Sequence, residues 1–419
     1  MPRYDFAQGA IVAWQYRSTE NLVKEIQTLL EQGDLSLPHS QDAAILVKPN
    51  FNNDLTALTG NSTDLRVLAA LLQALQERGY TDITIADGPN IGIYRKGIDV
   101  FGRLGVRALA EHFGVQLVDL NHAPSVKVEV VTGPVWVAEM CLQADYLISV
   151  PKIKTHAEAG MSAAVKNLMG CVVGTDKRLV HADLPANLVR LNEVIKPDLI
   201  LVDGIIGMEG NGPGDGKPKR LDLLLAGTDP FLLDLLIARL VGLDRNNIPY
   251  LLIAHQKGYL SDEDIAQVDE IEPLAQFEPP PPRSLVTRLL DHRLLAGVRD
   301  LTRPVHSSEA ARRLLYRLGI LQDVYEGAEA RVEQLVLNRQ ACDACGRCLA
   351  VCPVELPITD PGFDFWASPA CLGCLYCAFV CPQQAITIEG ELGYLKAHLR
   401  RYREAITSVV NPVTGESSS

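Results

Sequence analysis

Residues 146–170 of the chain read YLISVPKIKTHAEAGMSAAVKNLMG, and this stretch indicates the class of fold. Its first five residues form an apolar run that is typical of a strand buried on both faces of a sheet. Cationic and amide side chains follow among small residues: Lys152, Lys154, His156, Lys166 and Asn167. Ligands of open α/β sheets bind beyond the carboxyl ends of the strands, so these polar groups lie where a ligand is expected.

Similar apolar runs alternate with longer segments of helical period along the first part of the chain. The strand-like runs cover residues 9–16, 43–49, 81–87, 115–120, 145–151, 198–204 and 221–227. The helical segments cover residues 18–33, 62–79, 102–114 and 229–242, and several begin with Ser or Asp and end at Gly, as capping chemistry predicts. The expected fold is α/β, with a multi-stranded, mostly parallel sheet flanked by helices.

Polar residues stand at the carboxyl ends of four of the predicted strands. Besides the opening stretch, the set consists of Lys48 and Asn50, Asp87 and Gly88, and Asp203 and Gly204. Because the carboxyl ends of parallel strands meet at one edge of a sheet, we expect these residues to form one site. The alternative for any single residue is that strand ends are exposed and polar in any case.

A glycine-rich segment, GIIGMEGNGPGDGKP at residues 204–218, contains Glu209, Asn211 and Gly212. Closely spaced glycines let backbone N–H groups turn towards an anion, so an anion cradle is one interpretation and a flexible surface loop the other. The segment has neither the phosphate-loop spacing nor the dinucleotide fingerprint. Nucleotide binding is therefore not indicated.

Eight of the ten cysteines fall between residues 342 and 381. The segments CDACGRCLAVCP (342–353) and CLGCLYCAFVCP (371–382) both have the spacing C-x2-C-x2-C-x3-C-P. Three closely spaced cysteines can surround one iron–sulfur cube while the fourth reaches a second cube, so two [4Fe-4S] clusters with crossed ligands are predicted. A disulfide framework and a zinc site, which usually has separated cysteine pairs, are the weaker alternatives.

Residues 338–390 resemble the bacterial two-cluster ferredoxins, including the Cys-Pro after each motif and the AITIEG strand after the second. The resemblance implies a small α+β domain. It also implies one cluster held by Cys342, Cys345, Cys348 and Cys381, and another held by Cys371, Cys374, Cys377 and Cys352. The sequence VELPI at 354–358 departs from the family, which affects local packing and not the ligands.

Composition limits the class of protein. A formal net charge of −12 argues against a general nucleic-acid-binding protein, because such proteins present basic surfaces to phosphates. The chain has no apolar run near the ~20 residues that span a bilayer, so no membrane span is expected. The N-terminal residues lack the basic start and apolar core of a secretory signal, and a cytoplasmic location is expected.

The chain is expected to divide into four parts. Residues 1–277 form the α/β domain, 278–337 a Pro-rich linker and helical basic connector, 338–390 the iron–sulfur domain, and 391–419 a C-terminal helix with a disordered tail. The connector has eight arginines from Arg283 to Arg317. These favour a solvated helix face, and the alternative is a docking surface for an acidic partner or a membrane.

A second resemblance rests on KPN (48–50), ADGP (86–89), PKIKTH (151–156), AVKNLMG (164–170) and VDGIIGMEGNGPGDGKP (202–218). Together these motifs resemble the bacterial and archaeal domain-of-unknown-function family 362, over about residues 10–260, whose members often carry a C-terminal ferredoxin module. The α/β organisation more distantly resembles the lactate racemase superfamily. The family resemblance implies one site formed by Lys152, Lys154, His156, Lys166, Asn167, Asp203, Glu209, Asn211 and Gly212.

The functional hypothesis is an iron–sulfur oxidoreductase in which the lysines hold an anionic small molecule, a carboxylate or a phosphate. His156 and Lys166 are the candidate proton donors, because histidine exchanges protons near neutral pH. Asp87, Asp203 and Glu209 are expected either to orient the lysines or to bind an additional metal ion. The alternative is an electron-transfer or assembly subunit of a larger redox complex, with a non-catalytic α/β domain. A redox partner protein is expected in both cases.

The cysteine spacing makes a quantitative prediction. Anaerobically purified protein should contain about eight irons and eight acid-labile sulfides per chain, because two cubes with four cysteine ligands each require them. Metal analysis and sulfide determination check this. Stoichiometric zinc with negligible sulfide would contradict the iron–sulfur interpretation.

Overall fold

The computed structural model describes residues 3–7, 9–31, 35, 37–94, 96–281 and 325–410. The arginine-rich segment 283–317 and the predicted tail at 411–419 lie outside the described residues. Among the described helices, none combines the length and apolar character needed to cross a bilayer.

Fourteen strands are present in the described residues. They are β1 (Arg3–Phe6), β2 (Gly9–Gln15), β3 (Ile45–Pro49), β4 (Ile83–Asp87), β5 (Gln116–Asp119), β6 (Ser125–Val130), β7 (Gly133–Ala138), β8 (Tyr146–Val150), β9 (Lys152–His156), β10 (Gly160–Ser162), β11 (Leu199–Glu209), β12 (Lys217–Gly227), β13 (Arg331–Leu337) and β14 (Ile386–Glu391).

Fifteen α-helices accompany them in the same residues. They are α1 (Thr19–Leu30), α2 (Leu65–Glu77), α3 (Ile91–Tyr94), α4 (Val100–Arg103), α5 (Val106–Phe113), α6 (Met140–Gln143), α7 (Ala164–Asn167), α8 (Lys177–Val180), α9 (Leu184–Val194), α10 (Pro230–Leu240), α11 (Pro249–Gln256), α12 (Asp262–Asp269), α13 (Arg347–Ala350), α14 (Tyr376–Val380) and α15 (Tyr394–Val409).

The main sheet has ten strands in the order β1-β2-β12-β11-β8-β3-β4-β5, with β9 beside β11 and β10 beside β9. The pairs from β11 through β8, β3 and β4 to β5 are parallel. On the other side of β11, the pairs from β11 through β12 and β2 to β1 are antiparallel. The predicted α/β fold with a large, mostly parallel sheet is confirmed, and the parallel strands end at one edge, where the polar residues lie.

Alternate side chains of the strands enter two hydrophobic cores, one on each face of the sheet. In β3, Ile45 and Val47 join the core that contains α1, α2 and α5, whereas Leu46 joins the core that contains α9, α10 and α11. This two-sided burial explains why the central strands read as continuous apolar runs. It also explains why helical segments separate them in the sequence, since parallel neighbours need crossover connections.

The C-terminal module, residues 325–410, shares the first of these cores. Val351, Tyr376 and Phe379 belong to the same buried cluster as the apolar face of α2. The module approaches α5 so closely that a Cβ added at Gly105 would lie 3.1 Å from the Cα of Cys374. Gly105 also has a φ of +78°, so glycine is favoured there for two independent reasons.

The glycine-rich segment 204–218 is only partly a loop, which differs from both sequence interpretations. Its first half continues β11 to Glu209, β12 begins at Lys217, and residues 210–216 form the turn. Tight packing explains the glycines in the strand. A Cβ at Gly204 would lie 2.8 Å from Cδ1 of Ile153, and a Cβ at Gly207 would lie 2.8 Å from the ring of Phe277.

A buried ion network lies beneath the edge of the sheet where the parallel strands end. Lys152 Nζ lies 2.8 Å from Asp203 Oδ2, and neither side chain is exposed. The backbone N–H of Asp64 donates to the same Asp203 oxygen at 2.7 Å, and Asp64 itself pairs with Arg66 at 2.7 Å. Burial raises the pKa of Asp203, and the Lys152 ammonium offsets only part of this effect. Removal of any one of these side chains would therefore leave a buried charge without its partner.

Replacing Lys152 with Met should destabilise the protein by about 3–5 kcal/mol, because Asp203 would remain as an unpaired buried carboxylate. Urea unfolding of the anaerobic full-length protein measures the loss. Lys196→Met is the matched control, since Lys196 is exposed and its replacement should cost at most about 0.5 kcal/mol. Equal stability of the two variants would contradict a structural role for Lys152.

Candidate functional site

A cavity of about 490 Å³ opens at the edge where the parallel strands end. Residues that follow β3 and β4, together with β9, α7 and α8, form its wall, and Tyr325 of the C-terminal module closes one side. Seven residues predicted from the sequence line this cavity: Asn50, Asp87, Gly88, Lys154, His156, Lys166 and Asn167. Three of the four predicted strand ends therefore meet at the cavity, and the end marked by Asp203 and Gly204 does not.

The other predicted residues lie outside the lining. Lys152 and Asp203 form a buried ion pair with each other, so neither side chain is part of the candidate site. Glu209 accepts from the backbone N–H of Glu278 at 3.0 Å, and Asn211 lies 3.4 Å from Asp215 in the turn of the β11–β12 hairpin. The physical reason is that β11 continues beyond Asp203, so Glu209 and Asn211 lie at the β11–β12 turn. Gly212 packs against β9, where its carbonyl accepts from the backbone N–H of Ala157 at 3.2 Å, and the next residue, Pro213, lines the cavity.

Lys48 lies just beneath the cavity wall. Its Nζ is 2.7 Å from Asp87 Oδ1 and 3.3 Å from Asn167 Oδ1. Burial lowers the pKa of Lys48, but the adjacent Asp87 carboxylate outweighs burial and the pKa is raised. The amide of Asn167 donates to the backbone carbonyl of Lys48 at 3.1 Å and to Ser149 Oγ at 2.9 Å. Lys48 therefore fixes the wall rather than facing a ligand.

Three lysines of the cavity have neutral partners in the described residues. Lys154 Nζ donates to Asn50 Oδ1 and to the backbone carbonyl of Asn61, both at 2.7 Å. Lys177 Nζ donates to Asn121 Oδ1, and Lys166 Nζ has only the sulfur of Met169 at 3.7 Å.

Burial acts on the pKa of each of these ammonium groups. It lowers the pKa of Lys154 well below its usual range, with Lys166 adding repulsion, and lowers those of Lys166 and Lys177 to about 8. An anion in the cavity would restore the charged forms.

Two histidines line the cavity in different settings. Nδ1 of His156 accepts from the backbone N–H groups of Glu158 and Ala159 at 3.1 and 3.2 Å. The ring proton of neutral His156 is therefore on Nε2. His181 Nδ1 lies 2.6 Å from a carboxylate oxygen of Glu158, which orients the other ring nitrogen as an acceptor.

Sequence reasoning missed His181 and Lys177, although both follow the opening stretch within a short cationic run, KRLVH at 177–181. Asn52, Asn90, Glu158, Ser162 and Arg178 were also missed, and they line the cavity as well. Their positions depend on the path of the chain after α7. No periodic pattern in the sequence specifies that path.

The carboxylates expected to share a metal ion are apart. Asp87 pairs with Lys48, Asp203 with Lys152, and Glu209 lies 3.5 Å from Lys219. Among the residues that the structure describes, no three His, Cys, Asp or Glu side chains are arranged around a single ion. An additional oxygen-ligated metal ion at these three residues is therefore not part of the candidate site.

In the fold, cysteines from one motif lie near cysteines from the other. Burial raises the pKa of Cys348 to about 12, and three nearby thiols add to the shift: Cys342, Cys345 and Cys381. Burial likewise raises the pKa of Cys371, to which Cys352 contributes. The last cysteine of each motif thus lies near the first three of the other. This grouping is compatible with the crossed ligand sets, which stay a prediction.

The donor set suits an iron–sulfur cube. Each iron of a cube takes one cysteine, so the sulfurs are spaced more widely than around a single ion. Backbone N–H groups donate to the sulfurs of Cys342, Cys352 and Cys381 at 3.4, 3.3 and 3.2 Å. Hydrogen bonds of this kind tune the potential of a cluster.

One buried loop, residues 50–64 between β3 and α2, touches both the cavity and the cysteine module. Its Asn61 carbonyl accepts from Lys154, as described above. At its other end, the backbone N–H of Leu65 donates to the hydroxyl of Tyr376 at 3.3 Å, and Tyr376 lies between Cys374 and Cys377 in the chain. The cavity and the second cysteine motif are thus linked through a single packed segment.

Comparison with known families identifies two regions. Residues 45–239 match the model described as domain of unknown function (DUF362), and residues 334–382 match the 4Fe-4S dicluster domain. Both resemblances inferred from the motifs are confirmed. The dicluster match supports an iron–sulfur electron-transfer role for the C-terminal residues.

A curated relative is the thylakoid-associated protein sll1697 of Synechocystis sp., 31% identical over 255 residues that cover 57% of this chain and 75% of the relative. Lactate racemase apoprotein from Thermoanaerobacterium thermosaccharolyticum matches with a TM-score of 0.33 and 14% identity, over 48% of this chain and 52% of its own. A Thermotoga maritima protein matches with a TM-score of 0.32 and 14% identity, over 58% and 60%. The chain thus spans about half to three fifths of these two structures.

Crossed ligation predicts which variants should share a phenotype. Cys352→Ser should damage the cluster of the 371–377 motif, so its residual paramagnetic resonance spectrum should match that of Cys371→Ser and differ from that of Cys348→Ser. Cys381→Ser should in turn match Cys348→Ser. Spectra grouped by sequence motif would contradict crossed ligation.

Proposed function

The chain belongs to the domain of unknown function (DUF362) family, and we propose that it is an iron–sulfur oxidoreductase whose cavity binds an anionic small molecule. The two [4Fe-4S] clusters that its cysteines would hold supply single electrons when bound. The α/β domain supplies charge, orientation and protons.

The observation that carries the proposal is the placement of the loop 50–64. The loop lines the cavity through Asn50 and Asn52, and the residue that directly follows it, Leu65, donates its backbone N–H to Tyr376 of the cysteine module. Arg66, in the first turn of α2, also donates to the backbone carbonyl of Ala350 at 3.2 Å. A single packed segment of protein thereby connects the cavity to the second cysteine motif.

The cavity residues divide into those that hold charge and those that move protons. Lys154 and Lys177 would bind the anion, because each offers an ammonium without a carboxylate partner in the described residues. Lys166 would donate a proton, since its pKa of about 8 is close to neutral pH. His156 would donate a hydrogen bond from Nε2, and His181, oriented by Glu158, would exchange a second proton. Two electrons and two protons match a two-electron reduction of the bound molecule.

Partner and location are also proposals. Seven of the eight motif cysteines, all except Cys352, are partly exposed, which favours electron exchange with a redox partner protein at the module. A cytoplasmic location stays a prediction. The words "thylakoid-associated" are part of the name of the Synechocystis relative and describe that protein.

The decisive experiment measures reoxidation of chemically reduced, anaerobic protein during a screen of small anionic metabolites. His181→Gln should lower substrate-dependent reoxidation by about 10²-fold while the ligand still binds, because Gln can form a hydrogen bond but cannot carry a proton. For the unaltered protein, the rate should fall as pH rises through about 8, because Lys166 then loses its proton.

Lys196→Met is the control for these assays and should behave like the unaltered protein. An electron-transfer or assembly subunit with a non-catalytic α/β domain would contain the same clusters, but no anion would speed their reoxidation. That result, obtained with fully loaded clusters, would contradict the proposal.

A further inference from the structure

The positive charge of the cavity exceeds what its own carboxylates neutralise. Asp87 pairs with Lys48 at 2.7 Å, and Glu158 pairs with His181 at 2.6 Å. Lys154, Lys166 and Lys177 have no ion pair within the described part of the chain, and the first and last are 2% and 8% exposed. Buried ammonium groups normally have a counter-charge, because an unpaired one is costly. Since no carboxylate of the described residues balances Lys154, Lys166 and Lys177, an anion in the cavity is needed to keep all three charged.

We propose that the cavity binds a phosphate-type dianion, carried as the phosphoryl group of a small molecule. This inference rests on the proposed function, in which the cavity binds an anion, and it names the chemical class. A phosphate monoester has about −1.5 to −2 charges and three acceptor oxygens, so one group can neutralise two ammonium ions. A single carboxylate would leave two of the three uncompensated.

The cations of the cavity suit a phosphate group. Lysine binds phosphate as a point charge, and Arg178, which also lines the cavity, belongs to the residue type that binds phosphate through two parallel hydrogen bonds. The three lysines come from different elements: Lys154 from β9, Lys166 from α7 and Lys177 from α8. Donors that approach from three elements suit a tetrahedral anion better than a planar one.

Two glycines leave room in the wall beside these lysines. A Cβ at Gly88 would lie 2.9 Å from Lys177 Nζ and 2.4 Å from the carbonyl oxygen of Gly170. A Cβ at Gly170 would lie 2.6 Å from Lys48 Nζ and 2.3 Å from Asp87 Oδ1. Side chains at either position would displace the ammonium groups, so the glycines preserve the arrangement of charge.

Binding of the dianion should take up protons. Burial lowers the pKa values of Lys166 and Lys177 to about 8, and a bound anion raises them again. Glu158 and Lys48 act on Lys166 in opposite directions. Asp87, Asp119 and Cys171 oppose the effect of burial on Lys177, and Lys48 adds to it. Affinity should therefore fall as pH rises through about 8.

The test is calorimetric titration of the anaerobic full-length protein with inorganic phosphate, sulfate and succinate. Phosphate and sulfate should bind at least about tenfold more tightly than succinate, a dicarboxylate with its two charges apart. Sulfate keeps its charge across the pH range, so the loss of its affinity above pH about 8 reports the protein alone. Titrations in two buffers of different ionisation enthalpy should show net proton uptake.

Lys154→Met and Lys177→Met should each weaken phosphate binding about tenfold to a hundredfold, whereas Lys196→Met should leave it unchanged. Cluster content and thermal melts verify that the variants are folded, and the two-buffer titration tests the unaltered protein if they are not. The inference is overturned if succinate binds more tightly than phosphate, if neither tetrahedral anion binds, or if folded lysine variants keep full affinity.

This binding test requires no electron transfer, so its failure is distinguishable from failure of the proposed function. If other anions speed cluster reoxidation but phosphate does not bind, the oxidoreductase proposal stands and the phosphate class is wrong. If phosphate binds as described and no anion affects reoxidation, the cavity has the proposed ligand class without the proposed chemistry.

Discussion

The buried pair of Lys152 and Asp203 connects three separate segments of the chain. It joins β9 to β11, and Asp203 also accepts from the backbone of Asp64, where α2 begins. Through Arg66 the same network reaches the backbone of the cysteine module at Ala350. In a low-dielectric interior each member needs the others, because an isolated buried charge is far costlier than a paired one. The position of the cavity lysines, which begin two residues after Lys152, follows from this constraint.

Much of the fold could be predicted from the sequence, because burial on both faces leaves a clear local signal. The apolar runs around Ile45, Ile85, Ile148 and Leu201 all became central strands, and the 3.6-residue period located α1, α2 and α10. The β6–β7 hairpin was missed, since its alternating residues do not form a continuous apolar run. The extension of β11 to Glu209 was missed because its glycines read as a turn, while in the fold they allow close packing of side chains from Ile153 and Phe277.

The sequence predicted many of the residues that form the candidate site, but it did not predict the role of each one. As residues i and i+2 of β9, Lys152 and Lys154 lie on the same side of the strand. Lys152 is in register with Asp203 of β11 and pairs with it, whereas Lys154 lies further along the strand, at the cavity. Which of two neighbouring lysines meets Asp203 depends on strand register, and register is a property of the tertiary fold. The same reasoning applies to His181, whose partner Glu158 is distant in sequence and close in space.

The shared core of α2 and the cysteine module has a consequence for biogenesis. Val351, Cys352 and Tyr376 are buried against the same apolar cluster as the α2 helix, so residues that surround the metal ligands are also structural residues of the larger domain. Binding of a cofactor to the native state alone stabilises all the structure that is cooperative with it. Cluster binding at the cysteine module should therefore stabilise the α/β domain as well. A chain without clusters should unfold more readily throughout, including at the cavity.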